Sequence, residues 1–290
     1  MRRDFILIML VLLATLIGLM LSSKYYVSNT RNLEKYSPPE YYYMAVIIPS
    51  YIILIAAIII GYHVYKTMKL IESQAVKELY NFMVLWGLIA FETIVGWTYF
   101  HMTHDSLCYV EVLSLRIYVW FITHAWFFPI LGGVAYYLLQ VGLEMGKKQR
   151  KKLSHIELIL LLVVSVLIFL PWNYWAFNPP ETGVFTRPLV YGLSMLAGLI
   201  ACIPSIACIR DRLLRIDDKV LRARLKMIIA GFVGIVIFWV FLFAHSVLLA
   251  VQQYGMAHIL LGISGLSALL SPIFIYLGVL APSWFISLIE

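Results

Sequence analysis

Eight stretches of this sequence run for about 20 residues each with few charges, the length a helix needs to cross the hydrocarbon core of a bilayer. They cover residues 5–22, 43–65, 79–100, 115–142, 155–176, 188–209, 227–251 and 257–280. A chain inside a bilayer must satisfy its own backbone, which leaves helices or a closed barrel. Barrel strands would alternate apolar and polar over roughly 10 residues, whereas these runs are longer and apolar on every face. The sequence therefore predicts an all-α, polytopic membrane helix bundle of about eight transmembrane helices. No soluble domain is expected, because the longest connections are 23–42 and 210–226. Arg2 and Arg3 precede the first run, and no small-x-small cleavage site follows it, so residues 1–22 read as a signal-anchor helix. Residues 23–42 then form an outer loop and 43–290 a seven-helix membrane bundle.

Charge sets the expected orientation. Only 13% of the 290 residues are charged, against roughly 25% in soluble domains. The net charge of +7 sits in short segments between the runs, which points to the lipid bilayer rather than nucleic acid as partner. Of the 22 Lys and Arg residues, 17 fall on one side of the eight spans, at Met1–Asp4, Lys66–Glu78, Glu144–Ser154 and Arg210–Lys226. The positive-inside rule places that side, and with it both termini, in the cytoplasm. Within 210–226, Arg210, Arg212, Arg215, Lys219, Arg222, Arg224 and Lys226 alternate with leucines. The segment reads as an interfacial helix or an extension of the seventh span, facing lipid or a protein partner. On the outer side, Tyr41, Tyr42, Tyr43, Trp172, Tyr174, Trp175 and Phe177 fit either an interfacial belt or an aromatic ligand mouth.

Few residues inside the spans can carry chemistry. Glu92 is an acid in the middle of a run, where a charge is costly and faces a partner or a cavity. Helical rise puts it ~20 Å from the inner end of its span and His124 ~14 Å from the outer end of the next, at similar depth. A Glu92–His124 pair, or a Glu92 tied to a hydroxyl such as Tyr118, follows. Tyr118, Trp120, His124, His245 and Glu92 form the candidate ligand-binding set. His101, His104, His124, His245 and His258 all fall toward the outer side. That bias permits a metal ion or haem b at His101, His124, His245 and His258. Spacing argues against one shared pocket, since His101 is nine residues from Glu92 and so about 180° around a regular helix. The three cysteines, Cys108, Cys202 and Cys208, form no disulfide or zinc pattern. No nucleotide-loop, hydrolase or zinc-protease motif is present, and no intrinsic catalytic activity is read. Ser264, Ser267 and Ser271 beside Gly262 and Gly265 suggest close helix packing. Pro204 and Pro272 suggest kinks.

The segment Ile209–Phe232, IRDRLLRIDDKVLRARLKMIIAGF, resembles the inner loop of the N-terminal multi-span sensory modules of prokaryotic histidine kinases and diguanylate cyclases. The residues that carry the resemblance are Asp217, Asp218, Arg222, Arg224, Leu225, Lys226 and Gly231. Pro282 and Trp284 resemble the exit where such modules hand over to a signalling domain. The resemblance implies a receptor-like module in the plasma membrane of a prokaryote. With no output domain before Glu290, it would be expected to signal through a partner. Two other expectations remain at this point. One is an accessory or haem-bearing subunit of a larger respiratory membrane complex, and the other is a transporter.

Overall fold

The computed structural model describes residues 2–28, 40–103, 109–148, 151–169, 186–251 and 253–289. The chain is a helix bundle. The helices are α1 (Arg2–Ser28), α2 (Glu40–Leu70), α3 (Gln74–Thr103), α4 (Val119–Gly146), α5 (Lys151–Leu167), α6 (Thr186–Leu213), α7 (Lys219–Ala250), α8 (Tyr254–Leu280) and the short α9 (Ser283–Ser287). Among the described residues, 7 of them are long and apolar enough to cross a membrane. The fifth expected span, 155–176, corresponds to α5, whose 17 residues start earlier and end at Leu167. Residues 170–176, with Trp172, Tyr174 and Trp175, lie outside the described part, as do Phe177 and His104.

Neighbouring contacts close six of the helices into a ring. The order is α2, α3, α4, α6, α7, α8 and back to α2. Helices α1 and α5 lie outside it, each packed on α4. Flanked by α3 and α6 in the ring and covered from outside by α1 and α5, α4 is buried on nearly every face, from Trp120 to Met145. Two side chains of α4 hold α1. The Trp126 indole donates to Leu12 O at 2.9 Å, and the Tyr136 hydroxyl donates to Asp4 Oδ2 at 2.7 Å. Gln140 donates to Ser154 Oγ at 2.7 Å and fixes α5. In a bilayer there is no hydrophobic drive between helices, so such bonds and close packing set the arrangement.

The most extensive packing is between α7 and α8, where glycines remove the steric barrier. A Cβ on Gly231 would sit 2.5 Å from Ile275 Cγ1 and 2.8 Å from Ser271 O. One on Gly234 would meet Ser271 Oγ, and one on Gly278 would meet Arg224 O at 2.6 Å. Ser264 donates to Phe238 O at 3.1 Å across the same interface. The serines of α8 thus serve helix packing. Helices α2, α4, α6 and α8 run on through Pro49, Pro129, Pro204 and Pro272.

The all-α bundle carries one small non-helical element before the fourth span, whose helix does not begin at 115 but at Val119. Residues Val110–Val112 and Leu115–Ile117 pair as an antiparallel hairpin, β1 and β2. Its turn residues Leu113 and Ser114 have φ of 51° and 63°, the type I′ geometry that matches strand twist. The segment 210–226 is not one helix either. It divides into the end of α6, a break at Leu214–Asp218 and the start of α7. Asp218 ends the break by capping α7, accepting from Leu221 N at 2.8 Å, which satisfies one of the orphan donors of a helix start.

Candidate functional site

A cavity of about 120 Å³ lies inside the ring and takes lining residues from all six ring helices. Helix α2 gives Pro49 and Ser50, α3 gives Glu92 and Trp97, α4 gives Trp120 and His124, and α6 gives Tyr191. Helices α7 and α8 add His245 and Ser264, while α1 and α5 contribute none of the described lining residues. These residues sit in the first half of α2, α4, α6 and α8 and the second half of α3 and α7. The cavity therefore occupies one end of the bundle. The basic residues gather at the other end, where Lys148 pairs with Asp211 at 2.9 Å.

Glu92 is 4% exposed and borders the cavity. The Thr93 hydroxyl lies 3.3 Å from its Oε2 and 2.8 Å from Ile89 O. One hydroxyl proton cannot serve both acceptors well, and the shorter contact is to the backbone. The carboxyl is left with a shared, weak contact. His245 is buried, with Nδ1 2.9 Å from Ala257 O. A carbonyl only accepts, so Nδ1 carries the proton. His124 stacks on Trp120, with centroids 5.2 Å apart and planes at 17°. Trp97 meets Trp120 edge-on at 6.2 Å. Tyr191 packs perpendicular to Phe128 at 4.7 Å.

Of the residues singled out in the sequence, the structure brings Glu92, Trp120, His124 and His245 to this one cavity. Tyr118 does not border it. It stands just before α4 and packs against Tyr109 at 5.6 Å. His101 and His258 do not border it either, and no group of three or more His, Cys, Asp or Glu able to hold a metal ion occurs among the described residues. The basic set divides. Arg212 donates to Met145 O at 2.6 Å, and Arg224 donates to Gly278 O at 3.1 Å and Val279 O at 2.7 Å. Both hold helix C-termini, where a cation offsets the exposed carbonyl dipoles. Arg210, Arg215, Lys219, Arg222 and Lys226 are exposed.

Sequence reasoning missed several lining residues. Trp86, Phe127, Tyr191 and Phe238 border the cavity, yet in the sequence they are ordinary aromatics of apolar runs. It also missed Glu157, which is 0% exposed with both carboxyl oxygens lacking a partner among the described residues. A carboxyl near the start of a run fits the interface as well as the interior, so no pattern in the sequence singles it out. Set against known protein families, curated proteins and solved structures, the chain matches none.

Proposed function

We propose that this multi-pass membrane protein is a receptor-like module of a prokaryotic plasma membrane that takes a small ligand into the cavity and signals through a partner. The observation that carries this reading is the cavity itself. It combines ring-helix walls, several aromatic faces and a few convergent polar groups, the usual composition of a small-molecule site. All six ring helices border it, so a ligand there touches every helix whose relative position a signal would change. The cavity's about 120 Å³ is slightly under the roughly 150 Å³ that holds benzene in an engineered apolar cavity. A haem is far larger, which ranks the receptor reading above a haem-bearing subunit. A transporter needs a path to the opposite end, and the lining residues gather at one end.

The test is a thermal-shift screen of small amphiphiles against the protein in nanodiscs, repeated with the cavity filled by Ala90→Phe or, independently, by Ala268→Phe. Both alanines are buried lining residues. A ligand at 100 times its Kd should stabilise the native protein by about 2.7 kcal/mol, and either filled variant should lose that shift. If no compound shifts the protein, or if both filled variants respond as the native protein does, the cavity is not a ligand site.

A further inference from the structure

Resting on the reading of the cavity as a ligand site, we infer that its ligand presents a compact organic cation, an ammonium group, to Glu92 within a cage of indole rings. Among the described residues the lining contains one carboxyl, two histidines and no Lys or Arg. A buried carboxylate is tolerated when a counter-charge or several hydrogen bonds accompany it, and the hydroxyl of Thr93 is divided between Oε2 and a backbone carbonyl. The charge that would complement this wall is positive. An anionic ligand would meet the carboxylate, and a neutral apolar one would leave it without a partner.

The rest of the wall suits the same ligand. Trp86, Trp97 and Trp120 border the cavity beside Glu92, and indole faces attract cations most strongly among the aromatic side chains. Trp97 and Trp120 meet edge to face at 87°, with His124 stacked over Trp120, so the rings border the cavity at an angle to one another rather than as one flat stack. Several aromatic faces around one charge are the known way to bind quaternary ammonium groups. The volume of about 120 Å³ suits a trimethylammonium head with a short tail. His245 adds a polar ring to the same wall, held in place by its Nδ1–H donating to Ala257 O.

Choline and its uncharged isostere 3,3-dimethyl-1-butanol separate charge from shape. Binding of each to the protein in nanodiscs is read by quenching of tryptophan fluorescence, three of whose reporters line the cavity. The expected result is choline binding about tenfold or more tighter than the alcohol. Glu92→Gln should erase that preference, and Trp120→Leu should reduce it, so the outcome does not hang on one variant folding. Equal binding of the two probes to the native protein, or a preference that survives Glu92→Gln, overturns the cationic ligand while the cavity remains a ligand site. If neither probe quenches, the cationic ligand fails. If the thermal-shift screen is silent too, the ligand site fails with it.

Discussion

Glu157 makes the sharpest single-residue contrast with Glu92. Both are carboxyls buried in the bundle, at 0% and 4% exposure. Glu92 borders a cavity that can admit a partner, whereas Glu157 is closed off and its two oxygens have none among the described residues. An unsatisfied buried polar group costs about 1–3 kcal/mol. Glu157→Met keeps the length and removes that cost, so it is expected to stabilise the protein by an amount in that range, read as a higher midpoint in thermal or denaturant unfolding. Destabilisation by Met together with tolerance of Gln would mean that the site depends on a hydrogen bond from Glu157. The contrast also marks what the sequence could yield at this scale. Depth along a run picks out Glu92, because an acid eight or more residues from either end has nowhere to go but inward. Glu157 lies six residues into α5, about 9 Å of rise, where a carboxyl can equally reach the headgroups. Only the neighbours of α5 decide between the two, and no pattern within the run encodes them.

At the scale of elements, the segment that carries the family resemblance has structural work to do. Asp218 caps α7, Arg224 grips the end of α8, and Gly231 lets the two helices touch. The seven basic residues read from the sequence as one lipid-facing or partner-facing stripe therefore fall into two kinds. Arg222, exposed, is free to face lipid headgroups, and Arg224 is turned onto Gly278 O and Val279 O. Hydrogen bonds to a charged group contribute about 1.5–3 kcal/mol, while an exposed surface charge contributes about 0–1 kcal/mol. Arg224→Ala should lower unfolding stability by the larger amount and leave vesicle binding of the folded protein nearly unchanged. Arg222→Ala should weaken association with anionic vesicles and barely move stability. The assignment fails if the two variants behave alike in both assays. The sequence reveals that this end is basic, since alternation of Arg and Leu is visible in it. It hides which arginine caps a helix, because the acceptor carbonyls lie 54 and 55 residues away in the chain.

For the whole molecule, helix number was legible and helix neighbourhood was not. Runs that are apolar on every face carry no stripe to say which face meets protein and which meets lipid. The ring order and the exclusion of α1 and α5 arise from glycine contacts and scattered polar bonds instead. One pairing does fix the number of crossings. Tyr191, early in α6, packs on Phe128, in the first half of α4, and Arg212, late in α6, reaches Met145 O at the end of α4. The two helices are therefore parallel, so the chain must return between them, and α5 is the element available for that return. Eight passes follow, with the basic ends of α2, α4 and α6 beside the basic starts of α3, α5 and α7. Given the positive-inside rule, we propose that this basic end faces the cytoplasm and that the cavity and the hairpin lie toward the outside. Leu113, at the hairpin turn, is 98% exposed, and Leu214, in the break between α6 and α7, is 73% exposed. Each is changed to Cys in a Cys108→Ser background, which removes the cysteine just before the hairpin and leaves the buried Cys202 and Cys208. In intact cells an impermeant maleimide should label Leu113→Cys, and Leu214→Cys should react only after permeabilisation. Labelling of Leu214→Cys in intact cells, with Leu113→Cys protected, would invert the molecule and place its cavity on the cytoplasmic side.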